Sequence, residues 1–303
     1  MKIVIAGGSG LVGTSLVTAL VNRGDEVIVL TRSNQKTINH VNVTTVQWLS
    51  KGSQPEKYLQ DVDVIINLAG ASINRWRWTD KVKQRIMNSR IETTDALINI
   101  IKEMDHPPKV FINASAVGAY GTSLNKTFTE KSNIANEDFL ATVVNEWESH
   151  ALAAEQLGIR TVLVRIGLVL SRNGGVLPRL IFPYRLLMGG TIGSGKQWVS
   201  WIHIDDVVSL ILFAIDNKFI NGPINGTAPE PVQMKEFGKT LSQIIHRPHW
   251  LPIPEIVLKL LLGEMSLLLL KGQRVIPEKA SESEFVFSYP SLKNALENLL
   301  EKA

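Results

Sequence analysis

The 303-residue chain has no cysteine at all. Disulfides, thiolate nucleophiles and cysteine-held metals are therefore excluded, and a reducing, cytoplasmic setting fits. Five of the six histidines, His40, His106, His150, His246 and His249, fall at no spacing that gathers metal ligands, so no metal is expected. A Gly-x-Ser-x-Gly nucleophile elbow is missing too. No basic leader precedes the first apolar run, and no signal peptide is expected. The longest apolar stretch, Ile256 to Leu270, is interrupted by Lys259 and Glu264. It is too short and too charged to span a bilayer, and it reads as a buried or lobe-packing helix rather than a membrane-surface element. A net charge of +4 is small for this length, so no nucleic-acid partner is expected.

What is present begins at the N-terminus. Ile3-Val4-Ile5-Ala6 is a β-branched run suited to one buried strand. Gly7, Gly10 and Gly13 follow, and Leu11 to Arg23 carries helical periodicity up to Gly24. Strand, glycine turn and helix in that order predict a dinucleotide-binding fold. Gly7 allows the tight turn, Gly10 lets backbone approach a pyrophosphate, and Gly13 lets helix and strand pack closely. Leu11 and Val12 open the helix, whose first N–H groups face the phosphates.

Further strands are predicted at Asp25 to Thr31, Val43 to Leu49, Val62 to Leu68, Val110 to Asn113 and Thr161 to Ile166. Long helices are predicted at Thr79 to Glu103 and Glu137 to Leu157. This alternation predicts an α/β chain: a Rossmann-type doubly wound parallel sheet with a smaller, mostly helical C-terminal lobe. The expected division is 1–166 with 202–226 as the cofactor domain, and 167–201 with 227–303 as the substrate lobe. Prolines and glycines punctuate 167–196. Helices return at Asp205 to Asp216, Met234 to Ile245, Glu255 to Leu270 and Tyr289 to Glu301.

The end of the second strand discriminates between cofactors, because an acid there binds ribose hydroxyls and repels a 2′-phosphate. Here it reads Thr31-Arg32-Ser33, with no acid between Val27 and Asn39. A guanidinium and hydroxyls suit a phosphate, so NADP(H) is the expected cofactor. Leu68, Ala69 and Gly70 end the fourth strand where open α/β sheets bind ligands. Ser115 and Val169 occupy the equivalent ends farther along. Arg75, Arg77, Lys81, Lys83, Arg85 and Arg90 form a basic run broken by one acid, Asp80. Arg90 is expected to reach the cofactor, and the others to be solvated.

These residues resemble an extended short-chain dehydrogenase/reductase of the epimerase/dehydratase type. The likeness is carried by the glycine loop, Asn67-Leu68-Ala69-Gly70, Ser115 with Ala119-Tyr120-Gly121, Ala153-Ala154-Glu155 with Arg165, and His203-Ile204-Asp205-Asp206-Val207. Ser89-Arg90-Ile91-Glu92-Thr93-Thr94, Trp147-Glu148, Gly193-Ser194-Gly195, Trp201-Ile202-His203 and the tail from Gly263-Glu264-Met265 to Gly272-Gln273-Arg274 narrow it to the atypical "epimerase family protein" group. The resemblance implies NADP binding and a small-molecule substrate. Ordinary members carry a Tyr and a Lys four residues apart on the helix after the fifth strand. The corresponding positions here are Phe139 and Val143, and no Tyr-x-x-x-Lys occurs between Asn113 and Gly158. Ser115, Tyr120 and Glu148 are the remaining candidates for proton handling, with His203 a weaker one. An oxidoreductase or epimerase-like enzyme is one reading, and a catalytically inactive NADP(H) sensor or scaffold is the alternative.

Overall fold

Short runs of valine and isoleucine, each followed by a helix, form the frame of this computed structural model, which describes residues 1–32, 38–74, 77–136 and 138–300. The strands in chain order are β1 (Lys2–Ala6), β2 (Glu26–Thr31), β3 (Val43–Gln47), β4 (Val64–Asn67), β5 (Val110–Ala116), β6 (Thr127–Phe128), β7 (Arg160–Ile166), β8 (Leu168–Leu170), β9 (Trp198–Val199), β10 (Trp201–His203), β11 (Gly222–Gly226), β12 (Val232–Gln233) and β13 (Arg274–Val275). The helices are α1 (Leu11–Arg23), α2 (Asp80–Lys102), α3 (Phe139–Ala151), α4 (Leu177–Arg185), α5 (Ile204–Asp216), α6 (Met234–Ile244), α7 (Glu255–Leu262), α8 (Leu267–Leu270), α9 (Glu278–Glu282) and α10 (Leu292–Leu300).

Seven strands pair in parallel in the order β11-β7-β5-β4-β1-β2-β3. Because side chains alternate across a strand, sequence parity assigns each residue to a face. Ile3, Ile5, Val27, Val29, Ile112 and Val164 belong to one core with residues of α1, α5, α6 and α10. Val4, Ala6, Ile28, Ile65, Phe111 and Leu163 bury against α2 and the end of α3. Both faces are covered, as a parallel sheet requires.

The helices depart from the prediction most at three places. α3 stops at Ala151 and tightens into a 3₁₀ turn over Leu152–Leu157, while Glu137, its predicted start, lies outside the described residues. α4 was not anticipated: its two prolines read as breakers, yet Pro178 sits in the first turn, where no intrahelical N–H is needed. The predicted helix over 255–270 breaks at Gly263 into α7, a 3₁₀ turn and α8, and its first half is largely solvent-exposed rather than buried.

Candidate functional site

The turn after β1 owes its shape to two glycines. Gly7 has φ +84°, and a Cβ there would press on the Leu68 backbone at 2.7 Å. A Cβ at Gly13 would overlap the Gly7 carbonyl oxygen. Gly10 is different: only that same carbonyl lies near its missing Cβ, so the space beyond is open. The Gly10 N–H donates to Gly7 O at 3.0 Å, and α1 starts at Leu11 with no side-chain cap and no acid in its first turn. The N–H groups of Leu11, Val12 and Gly13 therefore lack intrahelical acceptors at the positive end of the helix.

The neighbouring strand ends converge on this turn. Leu68 N–H donates to Ala6 O at 2.8 Å, and Ala69 N–H to Asn67 Oδ1 at 3.1 Å. Gly70 lies against the Arg90 guanidinium, 3.2 Å from its Cζ were a Cβ present. Thr31 ends β2 and Arg32 follows it with an exposed side chain, whereas Ser33 lies outside the described residues. Gly174 and Gly175 return to the Leu11 side chain, and Gly175 also lies against the Val169 carbonyl. A groove of about 620 Å³ runs beside α1, lined by Gly10, Thr14, Ser171, Gly175, His203 and Asn298.

Arg90 alone of the described basic run turns inward. Its Nη1 donates to Ile86 O at 2.9 Å and Ala71 O at 3.2 Å, and its guanidinium lies 4.9 Å from the Trp147 ring centroid. Burial pushes its pKa down to about 10, and among the described residues no carboxylate pairs with it. Lys81 and Arg85 are exposed, Lys83 pairs with Glu264, and Arg77 donates to the carbonyls of Leu260 and Leu261. Arg75 lies outside the described residues.

Ser115, Arg165 and Asn225 stand in one row, opposite one another on β5, β7 and β11. Their parity turns all three toward the α3 side of the sheet. There Glu148 meets Arg165 in a two-pronged pair, Nε to Oε1 at 2.8 Å and Nη2 to Oε2 at 2.7 Å. The Ser115 hydroxyl donates to the same Oε1 at 2.5 Å. Arg165 Nη1 donates to the Tyr120 hydroxyl at 3.0 Å, which in turn donates to Asn225 Oδ1 at 2.8 Å. All five side chains are buried. Burial alone would lower the Arg165 pKa, but hydrogen bonds and charge from Glu148 hold it above the ordinary value. Burial also raises the Tyr120 phenol, opposed by Arg165.

The row thus gathers Ser115, Tyr120 and Glu148 around Arg165. A second network was not anticipated. Asn67 Nδ2 donates to Asn113 Oδ1 at 2.7 Å and to Thr94 Oγ1 at 3.0 Å, which also accepts from Trp147 Nε1 at 3.1 Å. Asparagines closing two hydrophobic strands were the available signal, since buried polar groups require partners. Along α3, Phe139, Val143 and Trp147 share a face. Val143 packs with Trp78 and Ile86, and Phe139 meets Trp78 edge-on at 5.6 Å. His203 Nδ1 accepts from Asp205 N–H at 3.1 Å and so caps α5, while its ring lies 3.9 Å from that of Tyr289. Burial lowers its pKa. Among the described residues no group of three His, Asp or Glu is placed to hold a metal, and no helix is long and apolar enough to cross a membrane.

Residues 3–225 match the NAD dependent epimerase/dehydratase family. The chain belongs to that family. Residues 253–299 match a second model, a domain of unknown function (DUF1731). An epimerase family protein of Bacillus subtilis (strain 168), YfhF, is 50% identical over 300 residues, covering 99% of this chain and 98% of that protein. The crystal structure of human epimerase family protein SDR39U1 (isoform 2) with NADPH superposes with a TM-score of 0.89 at 31% identity, covering all of both chains. A nucleoside-diphosphate sugar epimerase from Corynebacterium glutamicum gives a TM-score of 0.78 at 30% identity, covering 99% of this chain and 58% of the other. The Rossmann-like sheet and the epimerase-type assignment expected from the motifs are what the fold and these relatives show.

Proposed function

We propose that the protein binds NADP(H) along the carboxyl ends of β1, β2 and β4 and acts on a small-molecule substrate as an oxidoreductase or epimerase-like enzyme. The observation that carries this is the convergence of an uncapped α1 N-terminus, an exposed Arg32 and an inward Arg90 on one open glycine turn. Backbone N–H groups of Leu11, Val12 and Gly13 suit a pyrophosphate. Thr31, Arg32 and Ser33 are assigned to the 2′-phosphate. Leu68, Ala69 and Gly70 are assigned to the adenosine half, and Ser115 and Val169 to the nicotinamide half. The human relative solved with NADPH supports the choice of cofactor. When bound, the nicotinamide supplies hydride transfer. Residues 1–166 with 202–226 form the cofactor domain in this reading, and 167–201 with 227–303 the substrate lobe. The cysteine-free chain fits the cytoplasm.

Phe139 and Val143 replace the Tyr-Lys pair in this reading, so proton handling falls to Ser115, Tyr120 and Glu148. Their hydrogen bonds make them one unit around Arg165. Ser115 spends its proton on Glu148 and presents only lone pairs elsewhere. That arrangement, with the apolar Phe139 face, favours the second reading, a cofactor-binding sensor without turnover.

Titration with NADPH and NADH tests the cofactor assignment. NADPH should bind more tightly, and Arg32→Ala should weaken NADPH alone by about 1.5–3 kcal/mol, the range for hydrogen bonds to a charged group. Equal dissociation constants, or an Arg32→Ala protein with unchanged NADPH affinity, would overturn it.

A further inference from the structure

We propose that α7 is a docking ridge for an anionic lipid surface. The helix contradicts the usual relation between sequence and exposure. Its sequence, Glu-Ile-Val-Leu-Lys-Leu-Leu-Leu, is apolar nearly all round, and such helices are ordinarily buried. Here only Leu258 is buried; Ile256 is 71% exposed, Val257 42%, Leu260 70% and Leu261 51%. At roughly 100° per residue these four cover an arc of about 140° on one side. Four large aliphatic side chains on a single solvated arc form a continuous apolar ridge rather than scattered surface residues.

The charges around the ridge select its occupant. Glu255 is paired with Lys259, and Glu264 with Lys83, so both nearby acids are neutralised within the chain. Two cations remain, one at each end. Lys271 lies close enough to the first turn to help Lys259 hold the Glu255 carboxyl below its ordinary range. Arg77 sits at the last turn, its Nη2 donating to Leu260 O at 2.8 Å. An apolar arc framed by cations is the pattern of a helix lying in the plane of an anionic interface, with long basic side chains reaching the headgroups. A second copy of this chain would instead bring like-charged rims together.

Vesicle co-sedimentation of the full chain tests the proposal. Equimolar phosphatidylglycerol and phosphatidylcholine vesicles should pellet the protein, and pure phosphatidylcholine should retain much less. Raising the salt from about 0.1 M to about 0.5 M should weaken binding. Ile256→Ser with Leu260→Ser should lower the partition coefficient at least about tenfold. Val257→Ser with Leu261→Ser repeats the test on the other half of the arc, and Lys271→Gln should cost about fivefold. NADPH affinity and Tm should stay at wild-type values in all three. Failure to pellet with phosphatidylglycerol vesicles, or pelleting that neither serine pair diminishes, would overturn the proposal. So would a wild-type dimer in sedimentation velocity that the same substitutions dissolve, since the ridge would then belong to a second copy.

Discussion

Replacing Arg165 by Met should destabilise the fold more than any single surface change. The substitution removes three hydrogen bonds at once, all from the guanidinium to Glu148 and Tyr120, and leaves the carboxylate that accepts from Ser115 without its counter-charge. The Arg165 and Glu148 side chains are only 5% and 6% exposed, so solvent cannot replace the lost partner. Breaking a buried pair from one side costs about 3–5 kcal/mol, because a charge is left in low dielectric. For a chain of this size that corresponds to a fall in Tm of roughly 5–8 °C. Removing both charges should behave differently: Arg165→Met with Glu148→Leu should recover most of the loss. Urea unfolding followed by circular dichroism measures all three proteins. If Arg165→Met costs less than about 1 kcal/mol, or the double variant loses the sum of its singles, the pair is not the charge-matched core unit described here.

Two further outcomes follow from the site. Arg90→Ala should weaken NADPH binding by about 1.5–3 kcal/mol, whereas Lys83→Ala, whose ammonium is occupied by Glu264, should change it little; equal effects in calorimetric titration would remove Arg90 from the cofactor site. His203→Asn retains a capping oxygen for α5 but no titratable ring. Burial lowers the His203 pKa, so the folded state keeps it neutral, and the stability this contributes is present above the unfolded value of about 6.5 and lost as pH falls below it. The Tm of His203→Asn should therefore fall less than that of wild type between about pH 7 and pH 5, and parallel curves would count against a buried neutral ring.

The sheet was legible because its information is local. β-branched runs, a glycine turn and a capped helix each declare themselves within a dozen residues, and strand parity assigns the two faces. Thr79 is an example: the long helix is predicted to begin there, and its hydroxyl caps α2 by accepting from Val82 N–H. The polar row was less legible. Ser115, Glu148 and Arg165 were all singled out, but their mutual contact depends on β5 and β7 being neighbours, which no local pattern states. α4 was hidden because it carries two prolines, Pro178 in the first turn, where a helix tolerates one, and Pro183 in its interior, where a proline ordinarily breaks it. α7 was misjudged for the opposite reason: hydrophobicity predicts burial, and α7 buries only Leu258.

The row across β5, β7 and β11 has a consequence for how the molecule assembles. Parallel strands joined by long crossovers close late and can settle one residue out of step. For most of this sheet a slip would trade one aliphatic residue for another at little cost. At Ser115, Arg165 and Asn225 it would strand a guanidinium against hydrocarbon and leave Glu148 facing nothing. The three residues come from segments roughly fifty to sixty positions apart, so their agreement certifies that the two long crossovers between them have closed in frame. The row works as a checksum on the finished sheet, rejecting misaligned intermediates that hydrophobicity alone would accept.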